Sequence, residues 1–257
     1  MGLSTALARR PALRVFHLRH AALPVALFCS ACLAEAAPMD IYLPDAPPLT
    51  MTGPEGRHGI VGDATLKAAQ RAGIELNLIV LPWSRGQRTV EFGHDLLIMP
   101  LSRTPDREAK YTWIAPIMTM DRAFFSLDQR VETFEQARRT YRRIAVGMGS
   151  AQEQKLRDEG FSDEQIYSLK IGDNPAQMLL LGRVDAWFNG VPESRYIWRG
   201  VSARPLLMSP VLMTTELYLA CSKTCNETTV QRLAQSVETL RRDGTLQQIA
   251  DDYLKGL

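Results

Sequence analysis

The chain has 257 residues, of which 46% are hydrophobic and 23% charged, with a formal net charge of +2. That length allows one or two domains, and the balance is that of an ordinary globular protein rather than a disordered or fibrous one. No apolar run reaches the roughly 18 residues that a membrane-spanning helix needs.

The N-terminus differs from everything after it. Arg9, Arg10, Arg14 and Arg19 fall in an opening stretch without acids, Ala21 to Ala34 is apolar, and Ala34-Glu35-Ala36 offers a small-x-small cleavage site. A basic flank, an apolar centre and a small-residue end form the layout of a secretory signal peptide. The reading assigns residues 1–37 to it, against the alternative of a buried N-terminal helix. Cleavage after Ala36 or Ala37 leaves a mature chain of about 220 residues. Cys29-Ser30-Ala31-Cys32 resembles a lipobox with cysteine in place of the usual leucine, so a lipid anchor at Cys32 is the alternative to a free mature chain. The first 37 residues carry four arginines and one glutamate, so the remainder is close to neutral. It has no polybasic footprint for nucleic acid or anionic lipid.

Met39–Leu43 reads as a first strand. Pro44-Asp45-Ala46-Pro47-Pro48-Leu49 reads as a stiff loop, because each proline fixes φ and removes a donor. After a Gly-rich surface turn, Asp63 is placed to cap a helix from Ala64 to Ala72. Glu75–Leu81 is a second strand ending at Pro82, Trp83–Phe92 a helix stopped by Gly93, and Asp95–Met99 a buried strand left through Pro100. Strands alternating with helices argue a parallel α/β sheet. Ligands bind such sheets beyond the carboxyl ends of the strands, where Trp83 and Ser102 fall. In Thr104-Pro105-Asp106-Arg107 the threonine suits an N-cap, the proline the first helical position and the aspartate the first turn. Arg107, held there beside Ser102, could grip a carboxylate with two parallel hydrogen bonds. The competing reading pairs it with a surface acid.

Further on, Thr133–Arg138 reads as a helix, Arg143–Gly147 as a strand, and Ser150 with Glu153 as a capping box. That box marks a helix start, and free N–H groups at such a start can also face an anion. Asp173-Asn174-Pro175 begins a helix that ends at Gly182, and Arg183–Phe188 is a strand with Asn189 and Gly190 at its end. Glu193 follows, with solvent exposure and cleft exposure both open. Glu216–Ala220 is a last strand. Val230, Leu233, Ala234, Val237 and Leu240 share one helical face, as do Leu246, Ile249, Ala250, Tyr253 and Leu254. Cys221 and Cys225 are an isolated pair in an exported chain and are expected to form a disulfide. A metal or redox role would need more ligands or a C-x-x-C spacing. The mature chain holds only His58 and His94, away from these motifs, and no catalytic triad or H-E-x-x-H pattern.

The ordered motifs Pro82-Trp83-x-Arg85, Gly93-x-Asp95-Leu96-Leu97-Ile98 and Pro100-Leu101-Ser102-x-Thr104-Pro105-x-Arg107 resemble the family 3 extracellular solute-binding proteins, over roughly residues 39–257. These are polar amino-acid receptors of bacterial ABC importers. The resemblance implies an α/β fold of two lobes, the type II periplasmic-binding-protein architecture, with parallel-rich sheets flanked by helices and two interlobe crossings. It divides the chain into a first lobe of 38–122 and 211–257 and a second of 123–210, with crossings near Met120–Phe125 and Met208–Thr214. It implies that Ser102 and Arg107 bind the ligand's α-carboxylate and that Trp83 packs on the ligand. Ser150 and Ala151, with Asn189 and Gly190, would contact it from the second lobe. Arg85 is a further candidate, with a surface ion pair as its alternative. Ala46 and Leu49 stand where larger groups often stand, which implies a roomier pocket wall. Many relatives carry an aspartate at the position of Gly190 to pair with an ammonium group; Glu193 could supply a carboxylate instead. The implied protein is a periplasmic, monomeric receptor of a small carboxylate-bearing ligand with an inner-membrane ABC permease as partner, no cofactor or metal, and no nucleic acid. Two alternatives share the scaffold: an enzyme like the cyclohexadienyl dehydratases, with Glu193 as its candidate acid or base, and a sensor partner that serves no transporter.

Overall fold

The computed structural model describes residues 1–2, 37–52 and 56–256, so residues 3–36 of the expected signal segment, Cys32 among them, lie outside the described residues. From Met39 the chain alternates strand and helix: β1 (Met39–Leu43), α1 (Ile60–Ala72), β2 (Leu76–Val80), α2 (Trp83–Glu91) and β3 (Leu97–Ser102). A single 3₁₀ turn, Pro105–Arg107, leads into the long strand β4 (Tyr111–Ser126). Then come α3 (Phe134–Thr140), β5 (Ile144–Gly147), α4 (Ala151–Asp158), β6 (Ile166–Leu169), α5 (Pro175–Leu180), β7 (Ala186–Gly190) and α6 (Val191–Val201). The two-residue β8 (Leu207–Met208), β9 (Met213–Ser222), α7 (Glu227–Arg242) and α8 (Thr245–Leu254) complete the chain.

The strands lie in the order β2-β1-β3-β9-β4-β7-β5-β6, with β8 added beside β4. β1, β2 and β3 are mutually parallel, as are β5, β6 and β7, which fits the βαβ reading at each end. The middle departs from the expected parallel sheet. β9 runs antiparallel between β3 and β4, and β4 runs antiparallel to β7. The architecture is therefore a two-lobed α/β fold with mixed sheets. β4 joins its halves: it pairs with β9 from Tyr111 to Arg122 and with β7 from Arg122 to Ser126.

Each half has its own apolar core. In the first, α1 and α7 cover β1, β3 and β9, and the i, i+4, i+7 spacing of Leu233, Val237 and Leu240 puts all three inside. In the second, Phe124, Phe188 and Ile144 fill one side of β5 and β7, while Ala145, Trp187 and Trp198 fill the other.

Several local expectations shift. α1 begins at Ile60, with Gly59 as its N-cap, so Asp63 lies in the first turn rather than at the cap. The reason is the Pro44–Leu49 loop: the carbonyls of Pro48 and Leu49 take the N–H groups of Ile60 and Val61 at 2.8 and 2.9 Å. That satisfies donors which a capping side chain would otherwise serve. Asp63 instead accepts from the Tyr253 hydroxyl at 2.6 Å, tying α8 to α1. Thr104 precedes the 3₁₀ turn, yet its hydroxyl makes no capping bond and is buried without a partner among the described residues. Ser150 does cap α4, accepting from the Glu153 N–H at 3.2 Å, but the Glu153 carboxylate reaches back to the Gly149 N–H, one residue before the cap. Cys221 and Cys225 form a disulfide with their Cα atoms 6.1 Å apart.

Candidate functional site

β3 ends at Ser102 and the 3₁₀ turn folds back at once, so Ser102 and Arg107 come together as buried residues, 5% and 7% exposed. The Arg107 guanidinium donates to the Ser102 carbonyl at 3.3 Å and to the Gly149 carbonyl at 2.9 Å. Among the described residues no aspartate or glutamate forms an ion pair with it. Burial pulls its pKa down, with nearby Asp106 and Tyr111 opposing. Its normal value is so high that it stays a cation at neutral pH. A buried guanidinium bonded only to carbonyls retains unspent capacity for an anion.

Trp83 opens α2 directly after Pro82 and packs with Tyr42, Ile98 and Leu101. Across from it, Gly149 has φ +70°, a left-handed conformation that glycine adopts without strain. This turn offers its carbonyl to two side chains of the first half, Arg107 and Gln87, each at 2.9 Å. Ser150 and Ala151 follow at the start of α4, both buried. Asn189 is the last residue but one of β7, where it accepts from the Gln152 amide at 3.2 Å and donates to the Ser194 hydroxyl at 3.5 Å.

Arg122 and Gln152, which the sequence did not single out, and Glu193, whose placement it left open, complete the centre. Arg122 lies on β4 where pairing passes from β9 to β7, and is 2% exposed. Its guanidinium donates to the Thr215 hydroxyl at 2.7 Å, the Ser102 hydroxyl at 2.8 Å and the Met120 carbonyl at 3.1 Å. Its Nε has no partner among the described residues. Burial pulls it down to about 10, and Glu193 works the other way. Glu193, in the first turn of α6, is half-buried, with its carboxyl against Gly190 on the lining of the space between the halves. Burial pushes that carboxyl up to about 7, with Arg122 opposing. Gln152 faces the same space.

The residues therefore sort clearly. Trp83, Ser102, Arg107, Ser150 and Ala151, with Arg122, Gln152 and Glu193, line one small pocket of about 50 Å³ between the two halves. Asn189 lines an adjoining chamber of about 260 Å³, and Gly190 stands beside Glu193 behind the pocket wall. Arg85 is the exception: it is exposed and outside the lining of both cavities. The helix explains this, since Trp83, Gly86 and Val90 define the buried face of α2, and a residue two positions from Trp83 is turned about 200° away.

Only a weak signal for Arg122 existed in the sequence, as an Asp121-Arg122 pair set between Met120 and the apolar Ala123-Phe124-Phe125. Gln152 carried no signal beyond its place near the Gly149–Ser150 turn.

Two α/β lobes joined by crossing strands, with unpaired polar groups converging between them, define the periplasmic-binding-protein class of fold. The chain belongs to the bacterial extracellular solute-binding proteins, family 3, whose model matches residues 41–256. No curated protein matches it by sequence. Among solved structures it is similar to an ancestral arginine-binding protein bound to arginine, at 15% identity and a TM-score of 0.72 over 85% of this chain and 99% of that one. It is similar to an ancestral amino acid-binding protein described as a precursor of cyclohexadienyl dehydratase, at 18% identity and a TM-score of 0.73 over 84% and 95%. A histidine kinase sensor domain with similarity to periplasmic binding proteins shares 16% identity and a TM-score of 0.76 over 86% and 97%. At these identities the likeness is one of fold. A receptor, an enzyme precursor and a sensor all share it, so the ligand must be argued from the site.

Proposed function

We propose that this protein is a periplasmic receptor that captures a small carboxylate-bearing ligand, an amino acid or a related acid, and delivers it to an ABC importer. Arg107 carries the reading: a buried guanidinium that faces the interlobe pocket and forms no ion pair with an acid among the described residues. In this reading Arg107 and Ser102 hold the carboxylate, Trp83 packs on the ligand, and Ser150, Ala151, Asn189 and Gly190 bound it from the other lobe. The lobes are residues 38–122 with 211–257, and residues 123–210. β4 and β9 are the crossings that absorb opening and closing. An inner-membrane permease reads the closed form. The family's extracellular character supports export, with residues 1–37 as the signal.

The test is thermal unfolding against a panel of α-amino acids, dicarboxylates, aromatic acids, polyamines and short peptides. Ligand at 100 times its Kd stabilises the native state by about 2.7 kcal/mol. For a chain of this size that raises Tm by roughly 5–10 °C. Arg107→Ala is expected to weaken carboxylate binding at least ~100-fold, as loss of a buried charged contact does. Shifts from polyamines alone, or carboxylate shifts that survive Arg107→Ala, would overturn the reading.

A further inference from the structure

Beside the pocket that holds Arg107 lies the chamber of about 260 Å³, on the side of β5, β6 and β7. Val146, Leu169, Trp187 and Ile197 line it, and Pro47 reaches over it from the Pro44–Leu49 loop. The pocket at Arg107, about 50 Å³, has room for little more than a carboxylate group. The chamber is larger than the roughly 150 Å³ that accepts benzene in an engineered apolar cavity. Glu193 and Gln152 line both spaces and so stand at the neck between them.

The neck is built around a missing side chain. A Cβ at Gly190 would lie 2.4 Å from Glu193 Oε2 and 2.7 Å from Met120 Sδ. Only glycine at position 190 leaves room for the Glu193 carboxyl where it is. Gln152 is committed to Asn189, whereas the Glu193 carboxyl accepts no hydrogen bond from any described residue. A carboxyl that lines both spaces and has no donor from the described residues is free to take one from the ligand.

We propose that the chamber is a second ligand compartment, which takes an apolar body the size of an aromatic ring, and that Glu193 at its neck receives a cationic or N–H donor group lying between that body and the carboxylate. The proposal rests on the reading of Arg107 as the carboxylate anchor. It narrows the ligand class to acids with a bulky apolar or aromatic substituent and an adjacent nitrogen donor. Small acids leave the chamber unfilled, and dicarboxylates would bring a second anion to Glu193.

The experiment is calorimetric titration of the purified protein with four probes, L-phenylalanine, L-alanine, 3-phenylpropionate and propionate. Indole, which lacks a carboxylate, is followed separately by saturation-transfer NMR. Each phenyl-bearing probe is expected to bind about 100-fold more tightly than its methyl-bearing counterpart, the scale set by burying several additional apolar carbons. Ile197→Trp fills the chamber and is expected to abolish both that ratio and the indole contact, with circular dichroism confirming that the variant is folded. Glu193→Gln is expected to cut the preference for L-phenylalanine over 3-phenylpropionate at least ~10-fold. Equal affinities within each phenyl–methyl pair together with no indole contact overturn the chamber, as does a preference that survives Ile197→Trp. A phenyl preference without discrimination between L-phenylalanine and 3-phenylpropionate overturns the part given to Glu193. Carboxylate binding that survives Arg107→Ala, with the indole contact intact, overturns the anchor instead and leaves the chamber standing.

Discussion

Glu193 and Arg122 face one enclosed space from α6 and β4, and each is perturbed first by burial and then by the other. For Glu193 this sets a direction of pH dependence. Its carboxyl titrates near 4.5 when unperturbed and near 7 in the folded protein. Between those values the folded state holds the proton more often than the unfolded state, so raising the pH destabilises the fold. The expected loss between pH 4.5 and 7 is up to ~3 kcal/mol. Glu193→Gln, neutral throughout, should lack that part of the slope; parallel urea-denaturation profiles for both proteins from pH 4 to 8 would contradict the assignment. The same residues mark how far the site could be read from the sequence. Arg107 and Ser102 are close in sequence and joined by a tight turn, so local pattern carries them. Arg122 reaches Ser102 from 20 positions away and Thr215 from 93, through strand register that no local pattern contains. Arg85, exposed outside both cavities, shows the opposite limit: a motif names a position but not the face of the helix on which it lies.

At the scale of elements, the Gly149 turn is the latch between the two halves. Its carbonyl binds Arg107 and Gln87, and its missing side chain lets Ser84 approach: a Cβ there would lie 2.5 Å from the Ser84 hydroxyl oxygen. Gly149→Ala therefore meets a backbone cost of about 1 kcal/mol and a collision across the cleft. Small-angle scattering of the ligand-free variant is expected to show a larger radius of gyration than the wild type, and Ser84→Gly in the same background should recover part of the difference. An unchanged radius in Gly149→Ala would show that the turn does not hold the halves together. The strands and helices flanking this latch were legible because their apolar spacing follows periods of two and 3.6. Their caps were less so. Gly59 replaces Asp63 as the cap of α1 because a distant loop supplies the acceptors, a tertiary effect invisible to a four-residue window.

For the whole molecule, the βαβ runs at the two ends were readable as parallel units, while the centre was not. Nothing in residues 213–222 announces that they return over about a hundred positions to lie antiparallel between β3 and β4. The disulfide that ties Cys221, near the end of this strand, to Cys225 closes a loop of only a few residues, so its stabilisation is expected to be about 2 kcal/mol. Cys221→Ala with Cys225→Ala should lower Tm by roughly 4–8 °C. A drop far beyond that in differential scanning calorimetry would mean that the pair does more than restrain the unfolded chain.

The long β4–β9 ladder has a mechanical consequence. The ladder is irregular between Trp113 and Ala115 and between Pro116 and Met118, but from Met118 through Arg122 the pairing continues in register into the β4–β7 pair, so the lobes are not two bodies on a floppy tether. They are the ends of one bent ribbon, and opening must flex paired backbone rather than swing a loose joint. Such a ribbon behaves as a leaf spring: it has a rest angle, resists displacement in either direction, and returns part of the work of opening when the lobes meet again. A ligand that bridges the lobes would add its contacts to that resistance, and releasing it would require flexing the same paired backbone.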